Sequence, residues 1–357
     1  MLAAEDGREV TDLSGDALGI GVVGYGRVAS RWQVPVYLRA GLKVVAICDR
    51  DAEARRRAAV DWPAIRRYRS YDELLADPAV QVVDLATRPA GRLPLIGRAI
   101  DAGRHVLAQK PLAFGTDGLA ELAERAERAG VGVAVNQNGR FAPAWRRATE
   151  LLHDGAIGRI RTITHLYDTM LRWKPDLVRH GTRQFLLFDY SNHWIDITGY
   201  WLRQDPVVAV HAVDYDAIRH QDGSVQQSMW ISMETESGAN AVIRGAAAGV
   251  SHAGHQFLIQ GDAGTLRGRV DSTDGEHLEW DDGERRKPIA LAGEWFPDGF
   301  LASMCELLEA VHTGRPPLHS LSDNLRTVAL VAAVCASAHA GGRRVDLRSP
   351  SGWPPRA

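Results

Sequence analysis

Five short apolar runs alternate with amphipathic segments across the first 140 residues of this chain, at 18–23, 44–48, 80–86, 105–108 and 131–136. Each run is too short for a helix and apolar at consecutive positions, as a strand covered on both faces must be. The segments between them read as helices. Ser70-Tyr71-Asp72-Glu73 has capping-box spacing ahead of Leu74 and Leu75. The segment 93–102 runs into Gly103, a helix stop. Thr116 is placed to cap a helix that carries Leu119, Leu122, Ala123 and Ala126 on one face. Alternation of this kind predicts a parallel sheet with helices on both sides, an α/β domain over 19–140.

The pattern changes after Arg140. A helix begun by Pro143 extends over 143–153, and longer β-rich stretches follow at 159–167, 207–215, 227–235, 239–245 and 256–260. Glu236-Ser237-Gly238 reads as a hairpin turn between two of them. Two helices are expected over 299–313 and 323–340. The expected organisation is an extension over 1–18, the α/β domain over 19–140, and an α+β substrate and oligomerisation domain over 141–322. A C-terminal helix and strand over 323–348 would pack back on the chain, ahead of a tail at 349–357. The second domain is expected to hold a large, mostly antiparallel, open-faced sheet. Trp230 and Trp280 alternate with polar residues in strand-like segments. An apolar open face is commonly buried on a second copy, so a homodimer or homotetramer is expected.

Charge and cysteine usage narrow the partners. The net charge of −2 gives no electrostatic case for nucleic acid or an anionic membrane. No run of the sequence reads as long enough to span a bilayer, and residues 1–17 lack the apolar segment of a secretory signal. Cys48, Cys305 and Cys335 are scattered and odd in number, which suggests a reducing, cytoplasmic setting. His252 and His255 have metal-like spacing but no evident third ligand, so no metal is expected.

Gly24-Tyr25-Gly26-Arg27-Val28-Ala29 follows the first strand and opens a helix. This is the GxGxxA form of the dinucleotide fingerprint of a Rossmann domain. Gly24 permits the tight turn, Gly26 lets a pyrophosphate approach the backbone, and Ala29 still allows close helix packing. The helix start offers unpaired N–H groups to the phosphates. Asp49, 23 residues beyond Gly26, ends the second strand where a carboxylate can accept hydrogen bonds from ribose hydroxyls. Asp49 favours NAD, and the adjacent Arg50 leaves NADP open.

The chain has 38 arginines and only four lysines, Lys43, Lys110, Lys174 and Lys287. Lys110 stands at the carboxyl end of the fourth apolar run, where a desolvated amine can exchange a proton near neutral pH and a guanidinium cannot. A second cluster is Asp189-Tyr190-Ser191-Asn192-His193-Trp194-Ile195-Asp196. A helix starting near Ser191 would put His193 in its first turn, where a nearby carboxylate can orient the ring.

Together these pieces resemble the glucose-fructose oxidoreductase / inositol dehydrogenase / MocA family from about residue 19 to 347. The fingerprint matches. The segment 102–111, ending Gln109-Lys110-Pro111, resembles the family's stretch ending in Glu-Lys-Pro, and 136–143 resembles its entry to the second domain. Asp189 to His193 matches its Asp-x-x-x-His element, and 261–266 and the last helix also fit. The resemblance implies hydride transfer between nicotinamide and a secondary alcohol or ketone of a sugar, cyclitol or related polyol. It implies that Lys110, Asp189 and His193 converge on the reacting carbon, with His193 or Lys110 as the base. It further implies that Gly24, Tyr25, Gly26, Arg27, Val28, Asp49, Arg50, Thr87, Arg92, Gln109, Lys110 and Asn138 hold the cofactor.

Three departures stand out. Gln109 replaces a glutamate and removes a counter-charge beside Lys110. Arg92 stands where a histidine is common and Arg88 where a proline is, which would put cations near the nicotinamide end. The run Gln184 to Phe188 is bulkier than the usual glycine-rich stretch and would narrow the pocket or give it an apolar wall. For substrate, besides Lys110 and His193, Tyr167, Asp168 and Thr169 are expected to end a strand at a cleft. Trp173 and Arg183 in the following loop could supply an aromatic platform and hydroxyl partners. Two other readings stay open: a glycoside-modifying enzyme that oxidises and re-reduces its sugar with tightly bound NAD, and a nucleotide-binding regulator without catalysis.

Overall fold

A computed structural model describes residues 18–169, 186–221, 223–247, 254–270 and 275–348. The chain divides into two compact units, 1–138 with 296–325, and 139–295 with 326–357.

In the first unit, β1 (Ile20–Val23), β2 (Val44–Cys48), β3 (Arg66–Tyr68), β4 (Val82–Leu85), β5 (His105–Gln109) and β6 (Val133–Asn136) form a parallel sheet in the order 3-2-1-4-5-6. All four residues of β1, of β4 and of β6 are buried, which accounts for their unbroken apolar runs. The order reverses between β1 and β4, and ligands of such sheets bind at the carboxyl ends of the strands flanking that switch. The strand β3 was not expected. Its Arg-Arg-Tyr sequence is largely exposed at a sheet edge and carries no apolar signal.

Helices α2 (Ala52–Asp61), α3 (Tyr71–Ala76), α4 (Arg92–Asp101) and α5 (Leu119–Arg128) fill the connections. Ser70 and Glu73 form the expected capping box on α3. Thr116 does not cap α5; Gly118 does, with φ +73°, a conformation that costs glycine little. The expected face of α5 is nevertheless the buried one.

One domain boundary is corrected. Residues 296–322, expected in the second domain, group with the first. Phe300, Met304, Leu307 and Leu308 of a later helix (Asp298–Thr313) share one core cluster with Ile20, Val22, Leu107 and Ala134. Burying each such side chain contributes roughly 1.5–3 kcal/mol. Helical periodicity shows that this segment has an apolar face, but not which sheet the face covers.

In the second unit, nine strands form one mixed sheet among the described residues. They are β7 (Ile160–Asp168), β8 (Val207–Arg219), β9 (Val225–Thr235), β10 (Asn240–Ala246), β11 (Gly254–Gly261), β12 (Thr265–Val270), β13 (His277–Asp281), β14 (Arg286–Pro288) and β15 (Val345–Asp346). Only β7 and β10 pair in parallel; every other pairing is antiparallel. Ile163, His165 and Tyr167 of β7 point into the core with α6 (Pro143–His153), while Leu166 on the other face is 43% exposed. Trp230, Tyr215 and Ile218 are also exposed on β8 and β9.

The last helix, Leu321–His339, is 19 residues long, and its most apolar 18-residue stretch has mean hydropathy 1.2. By length and composition it could cross a membrane, contrary to the expectation that no run reaches that length. Half of its most apolar stretch is buried inside the protein, so its hydropathy serves a core.

Candidate functional site

The fingerprint loop joins β1 to a helix that starts at Arg27 and runs through a π-helical stretch (Ala29–Gln33) into α1 (Val34–Arg39). Gly24 has φ +93°, and a Cβ there would meet the Ala86 carbonyl oxygen at 3.2 Å. The fold itself therefore requires glycine at this position. Gly26 differs: its φ is not positive, and nothing lies within 4 Å of where a Cβ would sit. No protein atom demands a glycine there, and the open space above it is what a closely approaching ligand needs.

Asp49 closes the loop from the side. Its Oδ2 accepts from the Tyr25 amide at 2.7 Å and its Oδ1 from the Asp51 amide at 2.8 Å. This holds the carboxylate beside the fingerprint, where a ribose would lie. The Gly24 amide donates to the Cys48 carbonyl at 2.8 Å, fixing the loop to β2. Tyr25 contributes only backbone: its ring is fully buried and its hydroxyl donates to Asp61 at 2.8 Å. Gly26, Arg27, Ser30, Arg31 and Arg57 line an open hollow of about 550 Å³ whose three guanidinium side chains suit an anionic ligand. Val28 is 36% exposed at the helix start, and Arg50 is exposed after Asp49.

At the other end of the crevice, Lys110 directly follows β5 and is half-buried, with a cis bond to Pro111. Its amide donates to Oε1 of Gln109 at 2.9 Å. Three neighbouring strand ends present polar atoms with no hydrogen-bond partner among the described residues: Thr87 Oγ1 after β4, Gln109 Nε2 on β5, and both amide atoms of Asn136 on β6. Gln109 and Asn136 are register partners. Buried polar groups left unpaired cost about 1–3 kcal/mol each, so this set fits a ligand with donors and acceptors of its own. With the space over Gly26 and the placed Asp49, these residues fit a dinucleotide whose carboxamide end lies at β4–β6. Asn136 was not singled out from the sequence, where it reads simply as the end of a strand. Asn138 is buried in the turn Asn138–Phe141.

Arg92 does not face a cofactor. It is 1% exposed, and its guanidinium donates to the backbone carbonyls of Thr87, Gln109 and Pro111. Arg88, by contrast, is exposed.

In the second unit, Asp189 lies in a π-helical turn (Leu186–Tyr190), the kind of helix irregularity often found at functional sites. His193 is the second residue of α7 (Asn192–Trp201), as expected from a start near Ser191. The His193 ring is 8% exposed and meets Trp295 edge-on, with centroids 5.1 Å apart. A Cβ on Gly139 would lie 3.1 Å from His193 Nδ1, so the chain passes close against the ring. One turn on, Asp196 accepts from Arg140 Nε at 2.7 Å and Nη2 at 2.6 Å, and from the Thr327 hydroxyl at 2.6 Å. Arg140 also lies 4.4 Å from the Tyr200 ring centre. This buried network fixes the helix that carries His193. Its members are scattered through the sequence, and only the short spacing of His193 and Asp196 hinted at it.

The expected substrate-facing strand end is corrected. Tyr167 is wholly buried, stacked on Trp194 at 4.1 Å, with burial raising its hydroxyl pKa well above the usual value. Successive strand residues point to opposite faces, so Tyr167 and Asp168 cannot line one surface. Asp168 pairs with Arg244 on β10, and Thr169 is buried with its amide bonded to the Ala246 carbonyl at 2.8 Å. Trp173, Arg183, and Gln184 and Phe185 of the bulky run before Asp189 lie outside the described residues, as does His252; Leu186, Leu187 and Phe188 of that run are buried. Among the described residues no group of three or more His, Cys, Asp or Glu could hold a metal ion.

The doubly wound sheet, its fingerprint and its open crevice define an NAD-binding oxidoreductase. Residues 18–137 match the family described as "Oxidoreductase family, NAD-binding Rossmann fold", and residues 145–267 match the GFO/IDH/MocA C-terminal domain. D-apiose dehydrogenase of Paraburkholderia graminis is 30% identical over 332 residues, 87% of this chain and 84% of that protein. 1,5-Anhydro-D-fructose reductase of Ensifer adhaerens is 28% identical over 254 residues, 70% of this chain and 75% of the relative. An Agrobacterium radiobacter oxidoreductase, solved with NAD+, L-tartaric acid and magnesium, superposes with a TM-score of 0.78 at 23% identity, covering 92% of this chain and 98% of that one. The chain belongs to the Gfo/Idh/MocA oxidoreductase family.

Proposed function

We propose that this protein moves a hydride between NAD and a secondary alcohol or ketone of a sugar, cyclitol or related polyol. The observation that carries this reading is Lys110 at the carboxyl end of β5, beside the unpaired Nε2 of Gln109 and the unpaired side-chain amide of Asn136. The sugar-acting names of two relatives support the substrate class. Bound NAD would supply the hydride acceptor, held by the loop Gly24 to Val28, by Asp49, and by Thr87, Gln109, Asn136 and Asn138. His193 takes the proton of the reacting hydroxyl. Lys110 donates a hydrogen bond to the same oxygen and stabilises the alkoxide charge that develops on it. Asp189 orients the polar groups around them.

NAD is the preferred cofactor, since Asp49 repels a 2′-phosphate; Arg27, Arg31 and Arg57 give NADP a counter-charge and a weaker place. The exposed Leu166, Tyr215, Ile218 and Trp230 support a homo-oligomer built on the open sheet face, and the scattered thiols support a cytoplasmic protein. The test is reduction of NAD and NADP across a panel of sugars and polyols, with Lys110→Ala and His193→Ala alongside. Wild-type turnover lost in both variants is expected. Equal rates in all three proteins refute the catalytic assignment, and cofactor retained through purification without net NADH favours an internal oxidation–reduction cycle instead.

A further inference from the structure

A fully buried arginine occupies the start of a helix, where a cation is disfavoured. Arg92 is the first residue of α4, and the helix dipole and unpaired N–H groups there favour anions. Yet its side chain is 1% exposed and ranks among the largest wholly buried ones. The guanidinium spends its donors on backbone oxygens: that of Thr87 beyond β4, those of Gln109 and Pro111, and at 3.5 Å that of Leu112. Gln109 and Pro111 are the residues immediately before and after Lys110. One planar fork therefore ties the end of β4 to both sides of the lysine.

We infer that Arg92 is the positioning residue for Lys110. The inference rests on the role proposed for Lys110 above and adds to it how that amine is held. Hydrogen bonds from an ionised donor are about twice as strong as neutral ones, and these lie out of water. Moving the backbone of Lys110 means breaking at least one of them and leaving a buried carbonyl unpaired. A lysine at 92 would keep the charge but not the reach, because its donors radiate from a single nitrogen. Shifts of about 1 Å in a reacting group cost on the order of 100-fold in rate, so a strut of this kind acts on turnover more than on cofactor affinity.

The scarcity of lysine makes the inference testable without activity. Reductive ¹³C-methylation places a charged reporter on Lys43, Lys110, Lys174 and Lys287, and Lys110→Arg assigns one signal. In Arg92→Met the Lys110 resonance and its titration midpoint should move while the other three stay. An unmoved Lys110 signal overturns the inference, as does a common shift of all four. Arg92→Lys, which retains the charge, serves if the methionine variant does not fold. It should lower kcat by ~10–100-fold with NAD affinity changed less than about threefold, and should add almost nothing in a Lys110→Ala background. Fully additive losses, or a loss confined to NAD binding, overturn it. If no substrate on the panel turns over, the proposed function fails while the methylation result still decides the role of Arg92.

Discussion

The two fingerprint glycines should respond oppositely to the same added methyl group. At Gly24 the backbone has φ +93°, and the new Cβ would sit 3.2 Å from a carbonyl oxygen and 3.5 Å from the Thr87 amide nitrogen. Conformational strain of about 1–2 kcal/mol plus this crowding should destabilise Gly24→Ala by roughly 2 kcal/mol or more. At Gly26 φ is not positive and the methyl meets no protein atom. There the substitution only restricts the unfolded chain, and Gly26→Ala should be neutral or stabilised by about 0.4–1 kcal/mol. Its cost falls on the ligand. A methyl in the space where a diphosphate approaches should weaken NAD binding by about 2 kcal/mol, roughly 30-fold. Thermal melts without cofactor and calorimetric NAD titrations separate the two effects. If Gly26→Ala melts as low as Gly24→Ala, the open space has been misread. If Gly26→Ala binds NAD like the wild type, the crevice is not where the diphosphate lies.

Three further outcomes follow from buried groups. His165 is wholly buried between Trp201 and Phe257, and burial pushes its pKa down to about 3. The unfolded histidine binds a proton near pH 6.5, so stability is full above that pH and falls as pH drops toward 3, at about 1.4 kcal/mol per pH unit; His165→Phe should flatten this limb in urea titrations, and a parallel pH dependence would count against it. Asp84, bonded to Gln33 and Tyr37 in the first unit, is raised by burial to about 7. It favours the folded state while protonated, so its contribution declines from about pH 4 to pH 7, and Asp84→Asn should remove that slope in the same titrations. Asp196→Ala leaves Arg140 buried without its carboxylate and should cost roughly 3–5 kcal/mol by chemical denaturation, whereas Arg140→Met with Asp196→Leu should recover most of it; equal losses in both would show that the pair matters only by packing.

Much of the first unit was legible because its signals are local. An apolar run buried on both faces, a glycine forced by a turn, an aspartate at a strand end and a capping box each lie within a few residues. The same holds for His193, whose helix start is written in the residues around Ser191. Tyr167 was misplaced because a strand's sequence gives its period but not which face meets the core. Arg92 looked like a cofactor ligand because sequence shows a cation near a strand end, not the direction of its guanidinium. The edge strands β3 and β14 and the interior strand β12 escaped because charged residues interrupt their apolar pattern.

The sequence alone determined the dinucleotide-binding sheet, the position of Lys110 after its fourth apolar run and the family to which the chain belongs. These depend on chain-neighbour chemistry: periodicity, turn geometry and motif spacing. Only the tertiary structure decided that 296–322 completes the first unit, that Arg92 is an internal strut, that Asn136 presents an unpaired amide and that Asp196 anchors the helix of His193. Each of these joins residues far apart along the chain, and their pairing comes from burial and hydrogen-bond satisfaction in three dimensions, which no local pattern encodes.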